Sequence, residues 1–303
     1  MTKLFKFIGY ALVFIVSFIF FVYLYFPFDS VSDRILDTAE KQLGGAIEIK
    51  VGKLQPYYIT GVEIDDLNLF STTGKEKGHL LQLDNVKARA GLFSIIFSKP
   101  NLAFSLQAGD GGVDGEIDMN ANGWYLDLTS NGFDVSTIKF LSSGLGLNLR
   151  SKIDGTVVID FDNARPMRTK GEVDIKLNEL VLKKSTVTIA GAPMEIPDLV
   201  LAKGKSRINV KVAKGVMDIV KFTIAGGALD LNLSGRIFLA NTFDNYRLNL
   251  SGKAKLSPEL ESALPFLFII EKQKSQDGSY ELSITGRLSQ PVIKIGTFTL
   301  PMG

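Results

Sequence analysis

The 303-residue chain contains no cysteine and a single histidine. The absence of cysteine excludes disulfides, zinc–thiolate sites and thiol catalysis, and it is compatible with any redox compartment. His79 is the one imidazole, so the common zinc sites and the Ser–His and Cys–His catalytic arrangements cannot form within one chain. His79 also follows the polar stretch 73–78, which is typical of an exposed hairpin tip. We therefore expect a protein that is not an enzyme.

The chain also lacks a strong excess of charge of either sign. Its 34 Lys and Arg residues nearly balance 32 Asp and Glu residues, and they are dispersed. Nucleic-acid binding requires a basic stripe, which is missing here. The densest acidic group, residues 110–118, lacks the ligand order of a calcium loop; a turn followed by a strand with a solvated acidic side fits it better. We expect no metal, cofactor or nucleic-acid partner.

One long uncharged and mostly apolar run begins at Phe7 and ends at Phe28. As a helix it would be roughly 33 Å long, enough to cross a hydrocarbon core of about 30 Å. Lys3 and Lys6 precede the run and Asp29 follows it, so the positive-inside rule places the N-terminus in the cytoplasm. The alternative is a secretory signal peptide, but such peptides have shorter apolar cores and a small-residue cleavage site. An uncleaved membrane anchor fits better.

We divide the chain into a cytoplasmic tip and transmembrane anchor (1–28), an amphipathic helix (29–45) and a β-rich domain (46–303). In the helix, Val31, Ile35, Ala39 and Leu43 recur every four residues, and glycines follow at 44 and 45. This helix could lie on the membrane surface or plug the end of the β-rich domain. Its polar face carries charges of both signs, which favours the plug.

Beyond residue 45 the dominant period is two, which predicts antiparallel strands with one apolar face. Near the C-terminus, a short motif of alternating apolar and polar residues that ends in glycine occurs three times, with its glycine at Gly235, Gly252 and Gly286. Glycine inside a strand marks a bulge or bend, and its repetition at one point in successive strands would curve the sheet into a trough. Alternatively, these are unrelated loop glycines. Helical interruptions are expected at 136–141, capped by Ser136, and at 258–272, capped by Ser257.

The predicted fold class is therefore mainly β: an N-terminal transmembrane helix, then a curved, trough-like antiparallel sheet with a few short helices. We expect about 14 to 18 strands. Such a sheet must cover its apolar face, and the sequence supplies few helices to do so. Either the sheet folds on itself around a packed core, or an open trough binds acyl chains. The residues expected to line that trough are Leu102, Phe104, Leu231, Leu233, Leu248 and Leu250.

Several segments together resemble a known family. They are Tyr-Phe-Pro-Phe-Asp at 25–29, the amphipathic helix, Gly-Val-Glu-Ile-Asp-Asp-Leu-Asn-Leu at 61–69, and the ending 277–291. In these the chain resembles the type II secretion system protein N family, in the version similar to AsmA-like envelope proteins. The resemblance implies a single-pass bacterial inner-membrane protein with a periplasmic β-rich domain, associated with a machine that exports folded proteins. The AsmA-like relatives imply a curved sheet with an apolar trough that moves or organises lipids.

Two functional hypotheses follow. The first is a non-enzymatic component of a type II secretion system that offers sheet edges or end loops to other secretion-system or envelope proteins. The second is an AsmA-like lipid-binding or lipid-transfer protein that takes phospholipid into an apolar β trough. No catalytic residues are transferred from the family.

Overall fold

We describe a computed structural model of the chain over residues 40–41, 47–58, 60–72, 78–91, 101–120, 122–144, 146–162, 164–189, 192–240, 242–264, 267 and 270–299. The expected anchor, 7–28, lies outside the described residues, and so does nearly all of the expected amphipathic helix. Within the described ranges, no helix has both the length and the apolar character needed to span a bilayer.

The structure is mainly β, with a large antiparallel sheet and few short helices, as the period-two pattern predicts. The described residues form 19 strands, one more than the upper end of the expected range. The strands are β1 (Ile47–Lys50), β2 (Lys53–Tyr57), β3 (Gly61–Ser71), β4 (Gly78–Ala90), β5 (Asn101–Ala108), β6 (Gly111–Asn120), β7 (Gly123–Asp134), β8 (Asn148–Arg150), β9 (Lys152–Asp162), β10 (Lys170–Lys183), β11 (Ser185–Ile189), β12 (Ala192–Ile196), β13 (Leu199–Ala213), β14 (Val216–Ile224), β15 (Leu229–Phe238), β16 (Arg247–Leu256), β17 (Tyr280–Arg287), β18 (Gln290–Ile295) and β19 (Phe298–Thr299).

The large sheet has 17 strands and follows the chain as a meander. Strands β3 to β7 pair in order, β9 joins β7 to β10, and β13 to β19 continue in order. Strands β1 and β2 pair with different parts of β3, and β8 extends the pairing of β9 along β10. The hairpin of β11 and β12 is separate. In the described part of the chain, the sheet is therefore open, with β1 and β2 at one edge and β18 and β19 at the other.

The pairing register places apolar residues in rows that cross the sheet, because directly opposite residues of antiparallel strands project from the same face. The central row contains Pro56, Val62, Ala88, Phe104, Gly115, Leu128, Val157, Val173, Val210, Ile219, Gly235, Leu250, Ile284 and Ile293. Every member is apolar or glycine.

Two more rows flank the central row. Row one contains Ala90, Leu102, Ile117, Leu126, Ile159, Gly171, Val212, Met217, Ile237, Leu248, Gly286 and Pro291. Row three contains Leu54, Ile64, Val86, Leu106, Val113, Ser130, Gly155, Ile175, Ile208, Phe222, Leu233, Gly252, Leu282, Ile295 and Phe298. Ser130 is the one polar residue in the three rows, which together form the apolar face.

The recurring glycines lie inside strands, as expected, but they do not form one line. Gly235 belongs to the central row, Gly252 to row three and Gly286 to row one. The nearby register shift is in β14, between Ile219 and Phe222, rather than in a glycine-bearing strand. The expectation that these glycines bend the sheet along a single line is therefore wrong, because turn lengths shift each strand relative to its neighbour.

Within the described ranges, two short α-helices interrupt the strands: α1 (Phe140–Ser143) and α2 (Pro258–Ala263). Ser257 caps α2 by accepting a hydrogen bond from the Leu260 amide at 3.3 Å, as expected, but the helix ends well before residue 272. The expected Ser136 cap is wrong. Asp134 instead accepts from the Ser136 amide at 2.8 Å and caps a 3-10 turn, Val135–Thr137, ahead of α1. Further 3-10 turns are Pro166–Arg168, Phe243–Asn245 and Glu271–Gln273.

Candidate functional site

The six residues expected to line a trough all project from the apolar face. Leu102 and Leu248 share row one, and Phe104 and Leu250 share the central row. Leu233 is in row three, and Leu231 is in a shorter fourth row with Ile224, Ala254 and Tyr280. Eight strand-to-strand steps separate β5 from β16, or roughly 38 Å at about 4.8 Å per step. The six residues therefore form two separate groups on one continuous surface.

The apolar face is incompletely covered. In its three rows only Val212, Leu248 and Leu250 are less than a tenth exposed, and the other members are half-buried or exposed. Leu102 is 36% exposed, although Leu248 in the same row is 8% exposed. The inner face of a packed β-sandwich would instead be filled by side chains from a second sheet. This face therefore retains apolar surface that is accessible to solvent.

A cluster of buried residues lies at the connection between β16 and β17. Leu260 of α2 and Ile270 are buried, and so are Ala254 of β16 and Tyr280 of β17. Ala254 and Tyr280 lie directly opposite each other at the end of the fourth row. The apolar face is therefore covered beside α2 and more accessible at Leu102 of β5.

The opposite face is polar and carries ion pairs between neighbouring strands. The Arg207 guanidinium of β13 donates two hydrogen bonds to the Asp174 carboxylate of β10. This interaction lowers the pKa of Asp174 and raises that of Arg207. Arg236 makes a similar contact of 2.9 Å with Asp218. These contacts are solvated, so each contributes little to stability, but they identify the face that prefers water.

Glu63 of β3 lies in a second polar cluster on this face. Asn85 donates to it at 2.9 Å, and the Lys87 ammonium is 3.3 Å away. The hydrogen bond from Asn85 is the largest cause of a lowered pKa at Glu63, with Lys87 adding to it. The acidic strand β6 behaves as expected: it follows a turn, and Asp114 and Glu116 are exposed.

His79 is not at an exposed hairpin tip, and that expectation is wrong. It is the second residue of β4, is half-buried and stacks on Phe70 of β3 with 4.6 Å between ring centroids. Its Nε2 atom is 3.1 Å from the Asn68 side-chain oxygen. Burial, followed by the charge of Lys139, lowers the pKa of His79, so the ring is a neutral aromatic partner at pH 7. No cluster of three or more potential metal ligands occurs in the described ranges.

A cavity at the strand ends beside row one is not predicted from the sequence. This space of about 810 Å³ is lined by Phe238, Leu239, Ala240, Asn245, Arg247, Leu248, Gly286 and Arg287. Arg247 begins β16, Arg287 ends β17, and the two are directly opposite each other. The one feature of the sequence that points to this cavity is the position of Arg287 immediately after the glycine of the repeated motif. Only the register reveals that Arg247 faces it.

Comparison with known proteins gives no further assignment: no family model, curated protein or solved structure matches the chain.

Proposed function

We propose that this is a lipid-binding envelope protein that holds acyl chains along its apolar face, and that it works without catalysis. The observation that carries the proposal is the incomplete covering of three apolar rows that extend across the sheet. In this proposal the sheet is an open trough rather than a packed sandwich. The residues that line it include Leu102, Phe104 and Leu233.

The dimensions and chemistry of the face support an acyl ligand. The central row crosses fourteen strands, so at about 4.8 Å per step it is roughly 62 Å long. Strand backbone groups are paired within the sheet, and Ser130 is the single polar side chain of the three rows. A hydrocarbon chain gains roughly 0.8 kcal/mol for each methylene removed from water, whereas this surface offers little to a polar ligand.

The proposal includes a membrane location. Residues 7–28 would anchor the protein in a bacterial inner membrane with its N-terminus in the cytoplasm and the β-rich domain in the periplasm. This assignment is supported by the uncharged run and by the lysines that precede it. An anchored domain would have direct access to membrane lipids.

Photo-crosslinking in cells tests lipid binding with controls from the same strands. A photoreactive residue replaces Ile284 or Leu128 of the central row, and in matched controls it replaces Ser283 or Thr129 on the polar face. After irradiation, we expect the full-length protein to carry phospholipid when the probe is at Ile284 or Leu128. Equal yields of lipid adduct at the apolar-face and polar-face positions would contradict the proposal. Such a result would indicate that the protein is labelled on both faces merely because it lies near a membrane.

The second candidate function is a non-enzymatic component of a type II secretion system. Its supporting observation is the open sheet, in which β1 and β2 pair on one side only among the described strands. Such edges can accept a strand from a partner. In an organism with a functional system, deletion of this chain should then reduce export of its folded substrates. Normal export by the deletion strain would exclude this role.

A further inference from the structure

The cavity at the end of row one spans the boundary between the two faces of the sheet. Leu248 and Gly286 belong to the apolar face, whereas Arg247 and Arg287 belong to the polar face. A hydrogen bond of 2.8 Å from the Leu288 amide to the Tyr246 carbonyl joins the segments beside the two arginines. The cavity therefore has an apolar side continuous with row one and a cationic side next to it.

No carboxylate of the described residues compensates the charges of the two arginines. Like charges directly opposite each other on neighbouring strands are destabilising. Yet neither Arg247 nor Arg287 forms an ion pair with a described acidic residue, and both are exposed. Two other arginines of the polar face, Arg207 and Arg236, each contact an aspartate, and a third, Arg89, lies over the Tyr58 ring.

Phosphate is the ligand chemistry that fits this arrangement. A guanidinium presents a planar set of donors that matches the oxygens of a phosphate, and charge-assisted hydrogen bonds are stronger than neutral ones. Two adjacent guanidinium groups would share one anion and relieve their mutual repulsion. The adjoining apolar side of the cavity suits a ligand that also carries hydrocarbon.

We propose that this cavity binds the headgroup of an anionic phospholipid, with the phosphate at Arg247 and Arg287 and an acyl chain entering row one at Leu248. The inference rests on the proposed lipid-binding function and specifies its ligand class. The chain would leave the cavity over Leu248 and continue along row one toward Ile237 and Met217. A zwitterionic lipid would use the same row but gain less from the arginines.

The test compares lipids with identical acyl chains on the full-length protein. Native mass spectrometry in mild detergent measures binding of phosphatidylglycerol and phosphatidylethanolamine to the wild type and to the R247Q/R287Q variant. We expect phosphatidylglycerol binding to weaken by about tenfold or more in the variant. Phosphatidylethanolamine binding should weaken much less, because the ammonium of its headgroup offsets the phosphate charge. The matched control K211Q/R236Q removes the same charge from exposed positions on the same face. It should retain the wild-type preference.

Three results would overturn the inference. The preference for phosphatidylglycerol could persist in R247Q/R287Q, or the control variant could lose it equally, which would indicate general electrostatics. Excess inorganic phosphate could also displace the lipid, which would indicate a free-anion site. In contrast, a lack of lipid adducts at Ile284 and Leu128 would overturn the proposed function itself. Adducts there combined with an unchanged headgroup preference would overturn the headgroup assignment alone.

Discussion

At the scale of single residues, position 252 has no room for a side chain. A backbone carbonyl of the neighbouring strand occupies the space where any residue other than glycine would place its Cβ atom. A Cβ atom at position 252 would be 1.9 Å from the Asn232 carbonyl oxygen of β15. The neighbouring strand would have to shift, since a backbone atom cannot rotate away. We expect Gly252→Ala to lower the free energy of unfolding by about 1–3 kcal/mol, the usual cost of overpacking. Urea unfolding monitored by circular dichroism measures the change.

The control for that prediction is Gly78→Ala. Position 78 is at the start of β4, and the nearest atom to an added Cβ would be the Ser71 Cβ at 3.9 Å. This variant should unfold at nearly the wild-type urea concentration. Equal losses at positions 252 and 78 would show that the close approach to Asn232 has no energetic consequence.

The paired carboxylates predict the response to acid. The pKa values of Glu63 and Asp174 are lowered by Asn85 and Arg207, respectively. The unfolded chain therefore binds protons at higher pH than the folded protein does. Their stabilising contribution is present above the ordinary carboxyl pKa of about 4 and is lost as pH falls through the lower folded values.

We therefore expect the free energy of unfolding to decrease as pH falls from about 5 to about 3. Urea titrations across this range measure the slope. The Asp174→Asn variant should show a shallower slope, because it lacks one of the carboxylates whose pKa is lowered. An unfolding free energy that stays constant over this range, or an unchanged slope in the variant, would contradict the assignment.

At the scale of elements, the same leucine substitution should have different costs at the two ends of the apolar face. Leu250 of β16 is 9% exposed, whereas Leu102 of β5 is 36% exposed. We expect Leu250→Ala to destabilise the protein by about 2–5 kcal/mol, because it leaves a cavity in a packed region. Leu102→Ala should cost about 1 kcal/mol or less, since less surface is removed from water there.

Chemical unfolding of the two variants in lipid-free detergent gives the comparison. Equal costs would mean that β5 is as well covered as β16 and that the apolar face is uniformly packed. That result would also weaken the proposal of an open trough. Repeating the measurement with bound phospholipid should increase the cost of Leu102→Ala, because the lipid buries that side chain.

The strands can be predicted from the sequence more completely than the register in which they pair. Period-two alternation identified strands such as β10 and β13, and it placed all six candidate lining residues on one face. The pattern of a single strand does not contain its register, which depends on turn lengths and bulges. The sequence pattern therefore predicts His79 at a hairpin tip, although the residue pairs with Phe70 inside the sheet. Nor does the pattern show that Arg247 and Arg287 lie directly opposite each other.

At the scale of the whole molecule, the described sheet is organised almost entirely by contacts between neighbouring strands. Its main contacts follow the hydrogen-bonded order of the meander, and α1 against β4 is the largest contact outside the strand pairs. A structure of this kind resembles a repeat array, in which stability is approximately a sum of local terms. Opening can then begin at an edge without disrupting the centre.

This architecture predicts a gradient of amide hydrogen exchange along the strand order. Amides in β9, β10 and β13, near the middle of the meander, should exchange most slowly, and those in β2 and β18 should exchange fastest. The strands at the edges should open first, because detaching one of them breaks fewer contacts with neighbouring strands than detaching a central strand does. Mass spectrometry of peptides from the exchanged full-length protein resolves the gradient strand by strand. A single common exchange rate for the amides from β3 to β17 would instead indicate that the sheet opens as one cooperative unit. Such a unit would require a shared buried core, which the half-buried rows of the apolar face do not supply.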